Sequence, residues 1–243
     1  MVNPIKNKTA EMPFWDHVDE LRSRFIKSLF FIILFTIFAY IFSDRILLIL
    51  SELNTKSIDN INLQVLKITS MFMIKVYVSL VVGIILSMPI ILYQFWRFVS
   101  PAISSGFGFY TFFLFTLSSI FFFLGSYFSY LVIIPVSIDF FTSMTSDYIP
   151  VNYNFTLENY LLYIIWMIIV GGLIFQLPIL SIIFNRLGLI NYKTLVEARR
   201  FSILGIFIIS AILTPPDPFS QIMFVVPLII LYEISILILR FLR

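Results

Sequence analysis

Runs of about 20 apolar residues recur along the whole chain, and no other feature limits its fold so strongly. Inside a bilayer every backbone N–H and C=O must be satisfied within the protein. A spanning segment is therefore a helix or one strand of a closed barrel. A barrel needs segments of about ten residues that alternate apolar and polar, which these runs do not. The spacing predicts an all-α, polytopic membrane protein. Six transmembrane helices are expected at about 25–42, 76–96, 109–134, 160–184, 201–213 and 219–239, behind an N-terminal tail of residues 1–24. Composition agrees: 60% of the 243 residues are hydrophobic and 12% charged, where soluble domains average about 25% charged. The first run lacks a small-residue cleavage site and follows a polar tail, so it is not expected to be a removable signal peptide. Pro89 and Pro178 predict kinks, and Pro135 is expected to close the third span.

Charge sets the expected orientation. With both termini inside, 12 of the 16 Lys and Arg residues fall on the inner side, leaving Arg45, Lys56, Lys67 and Lys75 outside. Residues 135–157 hold Asp139 and Asp147 among their charges but no base. An N-in, C-in chain follows. The fifth span is short, about 20 Å at about 1.5 Å per residue, against a hydrocarbon core of about 30 Å. Either the membrane thins there, or the helix lies inside protein and need not span.

Absences exclude several chemistries. There is no Cys and one His, so disulfides, thiolate sites and paired His ligands are ruled out within the chain. No phosphate-binding G-x-x-x-x-G-K-[ST] loop and no H-E-x-x-H occurs. No catalytic residue, metal, cofactor or nucleic-acid partner is expected, and the chain is not read as an enzyme. The 29 Phe residues reflect coding bias of an AT-rich genome. That bias, with the Thr214-Pro215-Pro216-Asp217-Pro218 form, suggests an organelle-encoded copy in the mitochondrial inner membrane, with a thylakoid or bacterial plasma membrane as alternatives.

Four stretches carry chemistry. Before the first span stands His17-Val18-Asp19-Glu20-Leu21-Arg22-Ser23-Arg24. On a helix, His17, Glu20, Leu21 and Arg24 share one face. The plain reading is a solvated turn with Glu20 paired to Arg24. The functional one is a carboxylate that accepts a partner's guanidinium. The second span ends in Tyr93-Gln94-Phe95-Trp96-Arg97-Phe98-Val99-Ser100-Pro101, which alone reads as interfacial anchoring. The fourth span holds Phe175-Gln176-Leu177-Pro178, with an amide deep in an apolar run suited to an interhelical hydrogen bond. The most specific stretch is Thr214-Pro215-Pro216-Asp217-Pro218-Phe219-Ser220-Gln221, followed by Tyr232-Glu233-Ile234. Asp217 is placed to cap the sixth helix, and Glu233 is an intramembrane carboxylate, which is paired with Arg240 or protonated.

Together these stretches resemble the TatC family, the large subunit of the twin-arginine protein translocase. The resemblance runs from residue 17 to residue 234. It implies a cup-shaped bundle with two short C-terminal spans. It implies a receptor that binds twin-arginine precursor proteins and supports their export in folded form, driven by the proton-motive force. Single-span partners of the TatA and TatB type and self-association are implied as well. By matching positions, His17, Glu20, Leu21, Arg22 and Phe98 would bind the signal peptide. Gln176, Asp217, Gln221 and Glu233 would belong to the intramembrane face and to partner contacts. A second acid often follows the Pro-Ala of the first inner loop in this family, but Pro101–Phe107 has none. Arginine binding is therefore expected either to rest on Glu20 with less help or to tolerate a relaxed signal. The alternative from a different class is a proton-coupled secondary transporter of small solutes, with Gln176 and Glu233 at its midplane.

Overall fold

The computed structural model describes residues 14–55, 61–103, 109–143, 153–213 and 218–241. Helix α1 (Phe14–Ile41) begins in the tail rather than near Phe25, so the 17–24 motif forms the first turns of one continuous rod. A shorter helix, α2 (Ser43–Thr55), and a strand, β1 (Ile61–Gln64), lead to α3 (Ser70–Ile103). Helix α4 (Phe109–Phe128) passes through a π-helical turn (Ser129–Ile133) into α5 (Ile134–Ser143). Strand β2 (Tyr153–Thr156) precedes α6 (Leu157–Ile174), and a short break separates α6 from α7 (Leu177–Arg186). The chain continues through α8 (Tyr192–Glu197), α9 (Arg199–Leu213) and α10 (Pro218–Phe241).

Five stretches among the described residues are long and apolar enough to cross a membrane: His17–Ile41, Ser70–Val99, Phe112–Ser143, Leu157–Arg186 and Pro218–Arg240. The expected fifth span corresponds to α9. It has 15 residues, so it reaches about 22 Å and falls short of a full crossing.

Proline explains two departures from the expected spans. The third helix does not stop at Pro135. Ile134 N–H reaches back five residues to Ser129 O, the wider spacing of a π turn. Pro135 then sits in the first turn of α5, where its missing N–H costs nothing. The fourth span is not one helix. Pro178 cannot extend the ladder, so α6 ends, and Phe175 and Gln176 direct their N–H groups to Gly171 O and Leu173 O. Helix α3 contains Pro89 and helix α10 contains Pro227 without interruption. The strands form a two-stranded parallel pair, with Ile61 opposite Tyr153 and Gln64 opposite Thr156. This pair ties the α2–α3 connection to the start of α6.

Helix α6 is the hub. In its most apolar window, 61% of the span Leu157–Arg186 is buried, against 11% for His17–Ile41. Ile164 and Met167 are fully enclosed. Backbones come close where α4 meets α6: a Cβ on Gly171 would lie 2.8 Å from Gly125 O. Helix α1 meets α3 in the same way, since a Cβ on Gly83 would lie 2.7 Å from the Thr36 nitrogen. Small residues permit such contact in membranes, where helices associate by packing and not by expulsion of water. Large apolar side chains cover the outside, among them Phe201, Leu204 and Ile212 of α9. A lipid-facing surface tolerates this; a water-facing one does not.

Candidate functional site

The start of α1 and the end of α3 meet at one end of the bundle. His17 stacks on Phe98 with ring centroids 4.3 Å apart and planes 17° from parallel. One turn along α1, Glu20 takes Arg24 on Oε1. Arg24 Nε donates to that oxygen at 3.0 Å, and Arg24 Nη2 contacts it as well. The helical face read from the sequence thus exists, with its i,i+4 ion pair. Glu20 Oε2 differs from its twin: it is buried and has no hydrogen-bond partner. His17 Nδ1 stands 3.7 Å from it, beyond hydrogen-bond reach. Beside the carboxylate lies an apolar pocket of about 230 Å³, lined in part by Leu21, Arg24, Phe25, Ser28, Gln94 and Phe98. So His17, Glu20 and Phe98 converge, and Leu21 faces the pocket. Arg22 is exposed and is not part of the pocket's lining.

A second constellation lies deeper at the same end. Trp96 Nε1 donates to Ser118 Oγ at 2.7 Å, and Gln176 Nε2 donates to Ser118 O at 3.0 Å. This joins α3, α4 and the α6–α7 break in one polar chain. It also joins the aromatic motif to the Phe-Gln-x-Pro motif. Trp96 is 3% exposed, so it is not the interfacial anchor expected from the sequence. A signal was available: Leu92, Trp96 and Val99 recur at four and three residues, the spacing of one buried helix face. Gln176 is buried, and its Oε1 has no hydrogen-bond partner. An unpaired carbonyl in an apolar interior is costly, which makes the amide a high-stakes position.

The C-terminal residues are distributed differently. Asp217 lies outside the described residues. Its neighbours Ser220 and Gln221 open α10. Ser220 Oγ is 3.3 Å from Ser137 Oγ and 3.2 Å from Tyr163 OH, which links α10 to α5 and α6. Gln221 Nε2 donates to Phe207 O at 3.1 Å, and Ser210 Oγ donates to Gln221 O at 2.9 Å. Gln221 thereby holds the far end of short α9. The near end is held by Tyr232, whose hydroxyl donates to Leu195 O at 2.7 Å and accepts from Ser202 Oγ at 2.9 Å. Glu233 pairs with Arg199 Nη2 at 2.9 Å, not with Arg240. Arg240 lies almost two helical turns along α10 from Glu233, whereas α9 brings Arg199 alongside. Both partners of the pair are about half exposed, so it contributes little stability and leaves the carboxylate accessible.

Comparison with known proteins agrees with this arrangement. The family model described as "Sec-independent protein translocase protein (TatC)" matches residues 16–227. The chain is 31% identical over 231 residues to the Sec-independent protein translocase protein TatCy of Bacillus subtilis (strain 168), covering 95% of this chain and 90% of that protein. It is 32% identical to the TatC of Aquifex aeolicus (strain VF5), covering 93% of each. A crystal structure of a twin arginine translocase receptor, TatC, superposes with a TM-score of 0.82 at 30% identity, over 93% of this chain and 98% of that one. These relatives are bacterial, and they give no support to the mitochondrial placement drawn from composition. A small-solute transporter is set aside by the same matches. With its helical bundle and these relatives, the chain belongs to the TatC family: it is a multi-pass membrane subunit of the Sec-independent protein translocase and not an enzyme.

Proposed function

We propose that this subunit is the signal-peptide receptor of its translocase, and that Glu20 receives an arginine of the twin-arginine signal. One observation carries the reading. Glu20 Oε2 is a buried carboxylate oxygen with no hydrogen-bond partner, and Arg24, which holds the other oxygen, lines an apolar pocket. A guanidinium N–H would satisfy it with a charge-assisted hydrogen bond. The pocket between α1 and α3 would take apolar residues that follow the arginines. Twelve of the 16 bases fall on the N-in side, which supports putting this end toward the compartment where precursors are made. The bacterial relatives favour a bacterial plasma membrane over the mitochondrial inner membrane. Export of folded precursors would draw on the proton-motive force.

Short α9, with its exposed apolar face, and the accessible Glu233 carboxylate are the surfaces offered to single-span partners of the TatA and TatB type and to further copies of this chain. Asp217 joins this group by its place in the sequence, one residue before α10. The reading separates two functions. In lipid nanodiscs, a twin-arginine signal peptide should bind saturably and its twin-lysine version at least tenfold more weakly. Asp217→Ala and Glu233→Ala should keep that binding while export in vesicles falls severalfold. Equal binding of both peptides would refute the receptor role, and loss of peptide binding in the two variants would refute the division of labour.

A further inference from the structure

The His17 side chain has a geometry that its own helix does not require. It lies nearly flat on Phe98, at 4.3 Å and 17°, and turns Nδ1 toward Glu20 Oε2 at 3.7 Å. A planar, nitrogen-bearing ring on an aromatic face with a nitrogen toward a carboxylate is the posture of a bound guanidinium. The likeness is incomplete in one respect: no hydrogen bond reaches Oε2, which stays buried and unpartnered. The other oxygen, Oε1, is held by Arg24 from the same helix. One oxygen of the site is thus engaged, and the second is covered but unsatisfied.

We propose that His17 occupies the slot of a signal arginine when no signal is bound, and that the incoming guanidinium displaces it. The arginine would take over both contacts. Its plane would stack on Phe98, and its N–H would donate to Oε2 at hydrogen-bond distance. The exchange gains a charge-assisted bond that the imidazole does not make, so a guanidinium wins and a weaker competitor does not. A lysine has no plane to lay on Phe98 and would displace His17 poorly. Arg24 acts as a positioning residue, since by holding Oε1 it fixes the carboxylate with Oε2 toward the slot. His17 itself is about half exposed, with 46% of its side chain accessible, so it can swing outward without disturbing the core.

This inference rests on the receptor reading, and the experiment separates the two. A twin-arginine signal peptide is titrated against the full-length protein in nanodiscs, as wild type, Glu20→Gln, His17→Ala and His17→Arg. Removing the stacked ring should raise affinity about two- to tenfold, the scale of one aromatic pair. His17→Arg places a tethered guanidinium in the slot and should lower affinity at least tenfold. Glu20→Gln should lower it in every background. If Glu20→Gln lowers affinity but His17→Ala also lowers it, His17 is a direct contact for the signal and the displacement is wrong. If Glu20→Gln has no effect, Glu20 is not the arginine's acceptor and the displacement fails with it, whereas the receptor role fails only if the twin-arginine peptide binds no better than its twin-lysine version. Membrane fractionation and thermal unfolding of each variant distinguish lost binding from lost folding.

Discussion

A Glu20→Lys variant is expected to insert normally and to lose signal-peptide binding by a hundredfold or more. A hydrogen bond to a charged group is worth about 1.5–3 kcal/mol, or roughly ten- to 150-fold in affinity. Lysine removes that bond and adds repulsion toward an arginine ligand. The folded chain should tolerate the change. Glu20 sits on the first turns of α1, and its pair with Arg24 is an i,i+4 contact of about 0.3–0.5 kcal/mol. Isothermal titration in nanodiscs reads the binding, and alkaline extraction of membranes reads the insertion. Unchanged affinity in a properly inserted variant would remove Glu20 from the site.

The second large effect concerns packing. Gly171→Ala should destabilise the bundle by about 1–3 kcal/mol, and Gly205→Ala should be neutral or slightly stabilising. Both glycines are helical, so intrinsic propensity favours alanine at each by up to about 1 kcal/mol. Their surroundings differ. A Cβ on Gly171 would lie 2.8 Å from Gly125 O and from Ser129 Cβ, whereas one on Gly205 meets nothing within 4 Å. The obstructing atoms at Gly171 belong to the α4–π-turn backbone and to a side chain fixed on it, which cannot yield cheaply. Thermal unfolding in detergent should show opposite or clearly unequal shifts for the two variants. Equal shifts would mean that the α4–α6 contact is looser than its geometry.

The extent of sequence legibility follows from the length scale of each signal. Long apolar runs are read over about 20 residues, so the main spans are legible without a structure. The breaks within them depend on one or two residues whose outcome is settled by neighbours. Pro135 reads as a stop, yet a π turn at Ser129–Ile133 carries the helix past it. Pro178 reads as a kink, yet it splits the span into α6 and α7. The β1–β2 pair was invisible because each strand has four residues and its partner is distant in the chain. At the α1–α3 end, the face of His17, Glu20 and Arg24 is dictated by helical spacing alone. Its contact with Phe98 is tertiary and entered only through the family resemblance. Trp96 reads as part of an interfacial belt because it stands among aromatic residues and beside an arginine, whereas the partner that buries it, Ser118, is on another helix. For Glu233 the sequence offers Arg240 on its own helix or a protonated state, whereas the partner in the fold, Arg199, comes from α9.

The central claim is that a twin-arginine signal docks at the α1–α3 end, against Glu20. The most direct test places a photo-reactive residue at position 21, which lines the pocket and leaves Glu20 intact. A twin-arginine precursor is then presented to membranes carrying the protein. The account predicts a strong adduct that maps to the residues beside the arginine pair, is lost with a twin-lysine precursor, and is lost again when Glu20→Gln is added. An adduct of equal strength with the twin-lysine precursor, or one that survives Glu20→Gln, would contradict it.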